Sequence, residues 1–273
     1  MVKQFRLWVV RLLPAFLVVF SAVGVFGQDN TPKPTPTKPD PTPKTKGILK
    51  PTTAEQVVET SILIYTGGRG ALDPVRKTTL ERGRLSVTTA NGSVEQANYQ
   101  RFVIRGETLA KERVRLDQEL PTAKFSLVLS DERIFGIFSN TFFTPREDAS
   151  RSFANRIFHG LDALLRYKPN ESKLELALNE KLYGVDYFVV DVTDKQDRKT
   201  RFYVSAKTYR IMMLTYDQDG VRYRRKFYDY NYAQGVLVPF RTVLWANEKQ
   251  LEETDIGTIT FGQKVDEDMF KAG

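Results

Sequence analysis

Apolar and polar residues alternate with a period of two over much of the chain after residue 72, a pattern typical of β-strands. The alternation is clearest at Leu85 and Val87, at Phe102 and Ile104, and from Phe125 to Leu129. Asn91-Gly92 and Pro121 separate these segments and predict turns. A further series of short strands follows residue 170, divided by turns rich in Gly and Asp. The pattern predicts an antiparallel meander.

Two other segments repeat apolar residues at intervals of three and four, which predicts amphipathic helices. Thr53 and Gln56 form a capping box at the start of the first helix, which ends at Gly67-Gly68. The second is predicted over residues 146–167, and Pro169 stops it. Helices that are separate from an antiparallel meander define an α+β architecture.

Three predicted strands are apolar on both faces, at Ile134–Phe138, Tyr187–Val190 and Ile211–Leu214. A strand with one solvated face would alternate cleanly, so both faces of these strands are expected to be covered. Helices can cover one face. The other face must meet a closed interior, a partner or an apolar ligand.

The first 27 residues are typical of a secretory signal peptide. Basic residues precede an apolar run from Leu12 to Phe26, and Val25 and Gly27 occupy the −3 and −1 positions of a small-residue cleavage site. The run is shorter than the roughly 20 residues that span a bilayer. We therefore expect an exported protein whose mature chain starts at Gln28. An uncleaved leader that anchors the chain is the alternative.

Residues 28–52 are rich in Thr, Pro and Lys, and the remaining residues, 53–273, are predicted to form one domain. The prolines exclude helix and sheet and predict a disordered, extended linker. This linker is either a spacer that holds the domain away from a membrane or cell wall, or a leader segment without a specific role.

The net charge of +8 does not indicate a nucleic-acid-binding protein. The leader carries three of these charges, and the five lysines and two aspartates of the linker add three more, which leaves +2 on the domain. Arg222–Tyr228 interleaves basic and aromatic residues, but on a strand Arg222, Arg224 and Lys226 share one face and Tyr223, Arg225 and Phe227 the other. An exposed strand face is the default interpretation, and a rim that meets anionic lipid headgroups is the alternative.

The residue types for common active sites are scarce in this sequence. It contains no cysteine and one histidine, His159, which lies off the apolar face of the second helix and is expected to have a surface or lid role. Asp191, Asp194 and Asp197 lack the spacing of a calcium loop and are expected in a solvated hairpin turn. We expect no catalytic residues, no metal site and no cofactor.

The order of elements resembles the LolA-like family of periplasmic lipoprotein carriers and lipoprotein-sorting proteins. The resemblance rests on the opening helix, Thr53–Tyr65, the hairpin from Phe202 to Leu214, the turn Tyr216–Gly220, the segment from Tyr230 to Phe240, and the closing strand Thr258–Phe261 with its acidic tail. Ser205 and Gln263-Lys264 depart from the pattern of many relatives. The resemblance implies an unclosed β-barrel covered by helices.

The resemblance also implies a non-catalytic carrier or sensor that binds a lipid or lipoprotein acyl chain and acts as a monomer. A protein-interaction domain on the same fold, similar to stress sensors that bind a membrane-protein partner, is the alternative. The apolar residues predicted to line the cavity are Phe102, Ile104, Phe125, Leu127, Phe135, Ile137, Val189, Met212 and Leu214. The arginine that ties lid to barrel in the classical carrier corresponds to Arg82, Arg84, Arg101 or Arg105.

Overall fold

The computed structural model describes residues 51–89, 91–121 and 123–271, so the predicted signal peptide and nearly all of the predicted linker lie outside it. The described helices are α1 (Ala54–Tyr65), α2 (Glu147–Phe158) and α3 (Leu161–Leu165). The first six strands are β1 (Thr78–Thr88), β2 (Val94–Ile104), β3 (Arg113–Glu119), β4 (Lys124–Ser130), β5 (Arg133–Phe138) and β6 (Thr141–Phe143). The others are β7 (Lys173–Leu176), β8 (Glu180–Leu182), β9 (Val185–Thr193), β10 (Lys199–Ser205), β11 (Ile211–Gln218), β12 (Val221–Ala233), β13 (Val236–Ala246) and β14 (Lys249–Phe261).

The fourteen strands form one antiparallel sheet in the order β6-β5-β4-β3-β2-β1-β14-β13-β12-β11-β10-β9-β7, with β8 also paired to β9. The sheet is curved but does not close into a barrel, which confirms the predicted α+β class. Strands β1 and β14 join its two halves, with Leu80 opposite Thr260. Among the described residues no helix has the length and apolar character needed to cross a membrane.

Helix α1 packs on the face of the sheet that we call the inner face. Its capping box is formed as predicted, because Thr53 accepts a hydrogen bond from the Gln56 amide and the Gln56 side chain reaches back to the Thr53 backbone. Val57 and Val58 are completely buried. The Tyr65 hydroxyl accepts a hydrogen bond from the Ile211 amide at 3.2 Å and lies 3.0 Å from the Tyr230 hydroxyl. These bonds fix the end of α1 on β11 and β12.

The single helix predicted over residues 146–167 is wrong, since His159 and Gly160 divide it into α2 and α3. The apolar period continues through the break because both helices face the sheet. At Gly160 a Cβ atom would lie 2.8 Å from the Arg156 carbonyl oxygen, so the chain packs here more closely than other residues allow. Two short helices therefore cover the inner face where one was expected.

The outer face of β9–β11 is covered by the chain itself. Tyr187, Val189, Tyr203 and Met213 form a buried cluster there, and Ala177 and Leu182 from the β7–β8 segment pack against it. This cover explains why these strands are apolar on both parities. Near the other edge, the turn of residues 267–270 covers β3 and β4, and Phe270 is 1% exposed.

Gly83 permits the close approach of β1 to β14 at a register shift between Arg82 and Gly83. A Cβ atom at this position would lie 2.0 Å from the Asp255 carbonyl oxygen. We expect Gly83→Ala to lower the free energy of unfolding by about 1–3 kcal/mol, because a backbone atom must move. Urea unfolding measures the change. Gly257→Ala is the control, since its Cβ would meet the Arg82 oxygen at an ordinary 3.5 Å. Equal stability of the two variants would contradict this account.

Candidate functional site

A cavity of about 190 Å³ lies between the inner face of the sheet and helices α2 and α3. Its walls come from both halves of the sheet, with β1, β2 and β3 on one side and β12, β13 and β14 on the other. The apolar part of the wall includes Val103, Val114, Leu116, Phe153, Ile157, Leu161, Phe227, Val238, Ile256 and Ile259. The arrangement provides an apolar interior that helices cover.

Charged side chains form part of the same wall, and most of them are paired. The Glu81 carboxylate accepts hydrogen bonds from the Tyr99 hydroxyl at 2.7 Å and from Arg101 at 2.5 Å. Burial, and then the negative charge of Glu81, raise the pKa of Tyr99 well above its usual range. On the helical side, Arg156 of α2 donates to Glu252 of β14 at 2.5 Å. The pair joins α2 directly to the sheet.

Helix α3 is held by six charged residues that we call the anchoring cluster: Asp73, Arg76, Arg105, Glu112, Asp162 and Arg166. Asp162 of α3 accepts two hydrogen bonds from Arg76, at 3.0 and 2.7 Å, and one from Arg105 at 2.9 Å. Burial alone would raise the pKa of Asp162, but Arg105 and Arg76 hold it well below its usual range. Asp162 is therefore ionised at neutral pH.

Glu112 completes the anchoring cluster beside the start of β3. Its Oε1 atom accepts hydrogen bonds from Arg105 at 2.6 Å and from Arg166 at 2.7 Å. Of the four arginines proposed as a tie between lid and barrel, Arg105 forms an ion pair with a residue of α3, whereas Arg101 pairs with Glu81 on the neighbouring strand. Sequence reasoning did not bring Arg76, Glu112, Asp162 and Arg166 together, because they are distant in sequence and share no recognisable motif.

The apolar residues predicted from the sequence to line a cavity lie elsewhere in the described state. Phe125, Leu127 and Leu214 are on the inner face, but in packed core beside the cavity. Phe102, Ile104, Phe135, Ile137, Val189 and Met212 lie on the outer face. On β2 the lining residues are instead Tyr99, Arg101 and Val103, one position out of step with the predicted pair. Contact of the predicted residues with a ligand stays a prediction.

His159 is not at the surface, which corrects the surface role expected for it. It follows the last residue of α2 and is 5% exposed. Its ring stacks on Tyr216 with centroids 3.9 Å apart, and Nδ1 lies 2.7 Å from the Thr200 hydroxyl. Burial, with the nearby positive charges of Arg198 and Arg225, lowers the pKa of His159 to about 4. The imidazole is therefore neutral at pH 7.

At the two other candidate sites considered from the sequence, several charged side chains pair with neighbouring residues of the sheet. Asp191 pairs with Arg201, and Asp194 accepts hydrogen bonds from Arg198 and from two backbone amides of the β9–β10 turn. On the outer face, Arg224 pairs with Glu248 and lies over Trp245. Arg225 is on the inner face, as the strand period predicted.

Comparison with solved structures places the fold. A LolA superfamily protein from Nitrosomonas europaea superposes with a TM-score of 0.58 at 12% sequence identity, covering 81% of this chain and 99% of that one. A DUF1329 family protein from Desulfovibrio piger superposes with a TM-score of 0.59 at 12% sequence identity, covering 80% of this chain and 97% of that one. An outer membrane lipoprotein-sorting protein domain from Vibrio parahaemolyticus superposes with a TM-score of 0.54 at 13% sequence identity, covering 80% of this chain and 97% of that one.

These similarities confirm the LolA-like fold predicted from the sequence. At 12–13% identity they establish the fold alone. No known family profile matches the chain, and no curated protein sequence is significantly similar to it.

Proposed function

We propose that this protein is a non-catalytic carrier or sensor of the bacterial cell envelope that binds a lipid or lipoprotein acyl chain. The observation that carries the proposal is the helix-covered cavity, whose wall is largely apolar side chains from both halves of the sheet. Burying an acyl chain gains about 0.8 kcal/mol per methylene group and needs no reactive residue. The LolA-like fold and the signal-peptide pattern of residues 1–27 support a periplasmic location.

The size of the cavity implies that the helices move when a long chain enters. At about 190 Å³ it exceeds the cavity of roughly 150 Å³ that binds benzene, but it is smaller than the 300–1,000 Å³ of ordinary ligand pockets. The described state therefore accommodates a short part of a chain. Helices α2 and α3 act as the lid, held by the Arg156–Glu252 pair and the anchoring cluster. A longer chain would displace these contacts.

Native lipid content provides the direct test. The exported protein is purified from its periplasm without detergent and extracted with organic solvent, and the extract is analysed by mass spectrometry. We expect a stoichiometric lipid or fatty acid. An empty protein that also fails to bind a fluorescent fatty acid or a lipopeptide would refute the carrier hypothesis. The mass of the same sample shows whether cleavage precedes Gln28.

Filling the cavity should block binding. Val103 lines the cavity from β2, and we expect Val103→Phe to weaken binding of a fluorescent acyl probe at least tenfold, because the new ring occupies the space of about 190 Å³. Met212→Phe is the matched control, since Met212 packs on the outer face. Titration with the probe measures both, and thermal unfolding verifies the fold. Weakened binding in Met212→Phe alone would instead support the lining residues predicted from the sequence.

A protein-interaction domain is the second candidate function, and an apolar sheet edge favours it. Phe138, Phe142 and Phe143 are 50%, 43% and 38% exposed at the free edge formed by β5 and β6. An edge strand with exposed aromatic residues can pair with an extended segment of another protein. A photo-crosslinking amino acid at position 142 should then capture one membrane protein in cells. The same group at exposed Val94 is the control, and equal labelling at both positions would count against this function.

A further inference from the structure

Arg225 is a buried cation for which the described part of the protein supplies no hydrogen-bonding partner at Nη2. It lies on the inner face of β12, is 7% exposed and lines the cavity. Its direct neighbours across the sheet are Leu214 on β11 and Leu244 on β13, both buried and apolar. An unpaired buried guanidinium is costly, so its retention in this wall requires an explanation.

The acidic groups of the cavity wall near Arg225 already have other partners. Glu252 accepts from Arg156 through Oε2 at 2.5 Å and from the Thr254 hydroxyl through Oε1 at 3.4 Å. Glu81 uses both oxygens for Tyr99 and Arg101. Three arginines thus face two glutamates in this part of the wall, which leaves one positive charge in excess.

The electrostatic surroundings agree with this geometry. Burial lowers the pKa of Arg225, and the positive charges of Arg156 and Arg101 lower it further, against the opposing effects of Glu252 and Tyr216. Arg101 lines the same cavity but is already bound to Glu81, so among the described residues Arg225 is the arginine of this group without an ion-pair partner.

A guanidinium is a fork of N–H donors that matches the two oxygens of a carboxylate or a phosphate. Around this fork the wall is apolar, with Val103, Leu116 and Phe227 among its lining residues. We propose that the cavity selects an amphiphile with a compact oxyanion, a carboxylate or phosphate, at the end of its acyl chain, and that Arg225 binds the oxyanion. This inference rests on the proposed carrier function and narrows its ligand class, because the acyl chains of a lipoprotein carry no such anion.

Chain-matched probes test the proposal. Binding of dodecanoate, dodecyl phosphate and dodecan-1-ol is measured by calorimetry on the delipidated mature protein. We expect the wild type to bind the two anions about 10–100-fold more tightly than the alcohol, as a charge-assisted hydrogen bond implies. Arg225→Met should abolish this preference and leave the affinity for the alcohol within about threefold of wild type. Arg222→Met, at an exposed position of the same strand, should change neither.

Arg225→Lys serves as a second variant if the methionine variant does not fold. Lysine keeps the positive charge but lacks the paired N–H donors of the guanidinium. Its preference for anions over the alcohol should therefore lie between that of the wild type and that of a variant with an uncharged residue at position 225. Equal wild-type affinity for dodecanoate and dodecan-1-ol would overturn the anion site and leave the carrier function intact. If no amphiphile binds, the carrier function and this inference fail together. Inorganic phosphate that binds as tightly as dodecyl phosphate would indicate a free-anion site and overturn the amphiphile proposal.

Discussion

Replacing Asp162 with asparagine is expected to lower the free energy of unfolding by about 3–5 kcal/mol. The carboxylate of Asp162 lies between Arg76 and Arg105, and its loss leaves Arg76 buried without its ion-pair partner. Arg105 retains Glu112, so the cluster is weakened but not abolished. The effect is large because the Arg76 guanidinium, already depressed in pKa by burial, cannot recover its hydration.

The measurement for Asp162→Asn is thermal and urea unfolding at pH 7. For a domain of this size a loss of 1 kcal/mol lowers Tm by about 2–4 °C, so the expected decrease is roughly 6–20 °C. The control is Asp148→Asn, whose exposed pair with Arg146 should contribute little to stability. A similar small change for both variants would show that the anchoring cluster does not hold α3. In the proposed carrier α3 forms part of the lid, so faster entry of a fluorescent acyl probe should accompany the loss of stability.

His159 should make the protein less stable as the pH falls from about 6.5 to about 4. In this interval the unfolded chain binds a proton at His159, whereas the folded protein, in which the pKa is about 4, does not. The free energy of unfolding therefore increases with pH between about 4 and 6.5, and above pH 6.5 His159 no longer lowers it. Below pH 4 the loss of stability caused by His159 reaches about 3 kcal/mol, which follows from the difference between its pKa values in the unfolded and folded protein.

The test compares the pH dependence of urea unfolding in the wild type and in His159→Asn. An asparagine oxygen can accept from the Thr200 hydroxyl but does not titrate, so the difference in slope isolates this residue from other titrating groups. The charged groups that face the ring are Arg198, Arg225 and Asp194. Parallel curves for the two proteins would show that folding does not lower the pKa of His159.

The fold was accessible from the sequence because its determinants are local. The period of two, the turn residues and the Thr53–Gln56 capping box each act over a few positions, and they predicted the meander and the start of α1. The break at His159-Gly160 was missed because the apolar period runs through it. The burial of His159 was missed as a consequence. His159 caps the end of α2, and a residue at a helix end does not lie on the face that helical geometry assigns to it.

The cavity wall was less accessible, because its chemistry depends on pairs that are distant in sequence. An apolar cavity suggested Phe102 and Ile104 on β2, yet the inner face of that strand carries Tyr99, Arg101 and Val103. Arg101 tolerates this position because Glu81 on the neighbouring strand neutralises it. Only the register of β1 and β2 reveals that compensation. Strand β9 is apolar on both faces for a different reason, because the β7–β8 segment covers its outer face.

The seam between β1 and β14 also determines when the cavity comes into existence during folding. Each half of the sheet is a series of hairpins that close over short distances, but Leu80 and Thr260 are separated by about 180 residues. Closing a loop of that length costs roughly 4–5 kcal/mol of chain entropy. Since both halves supply the wall, the proposed ligand has no complete binding site until β1 and β14 have paired. Bound ligand would then stabilise the paired β1 and β14, and it would bind completely folded molecules but not partly folded ones.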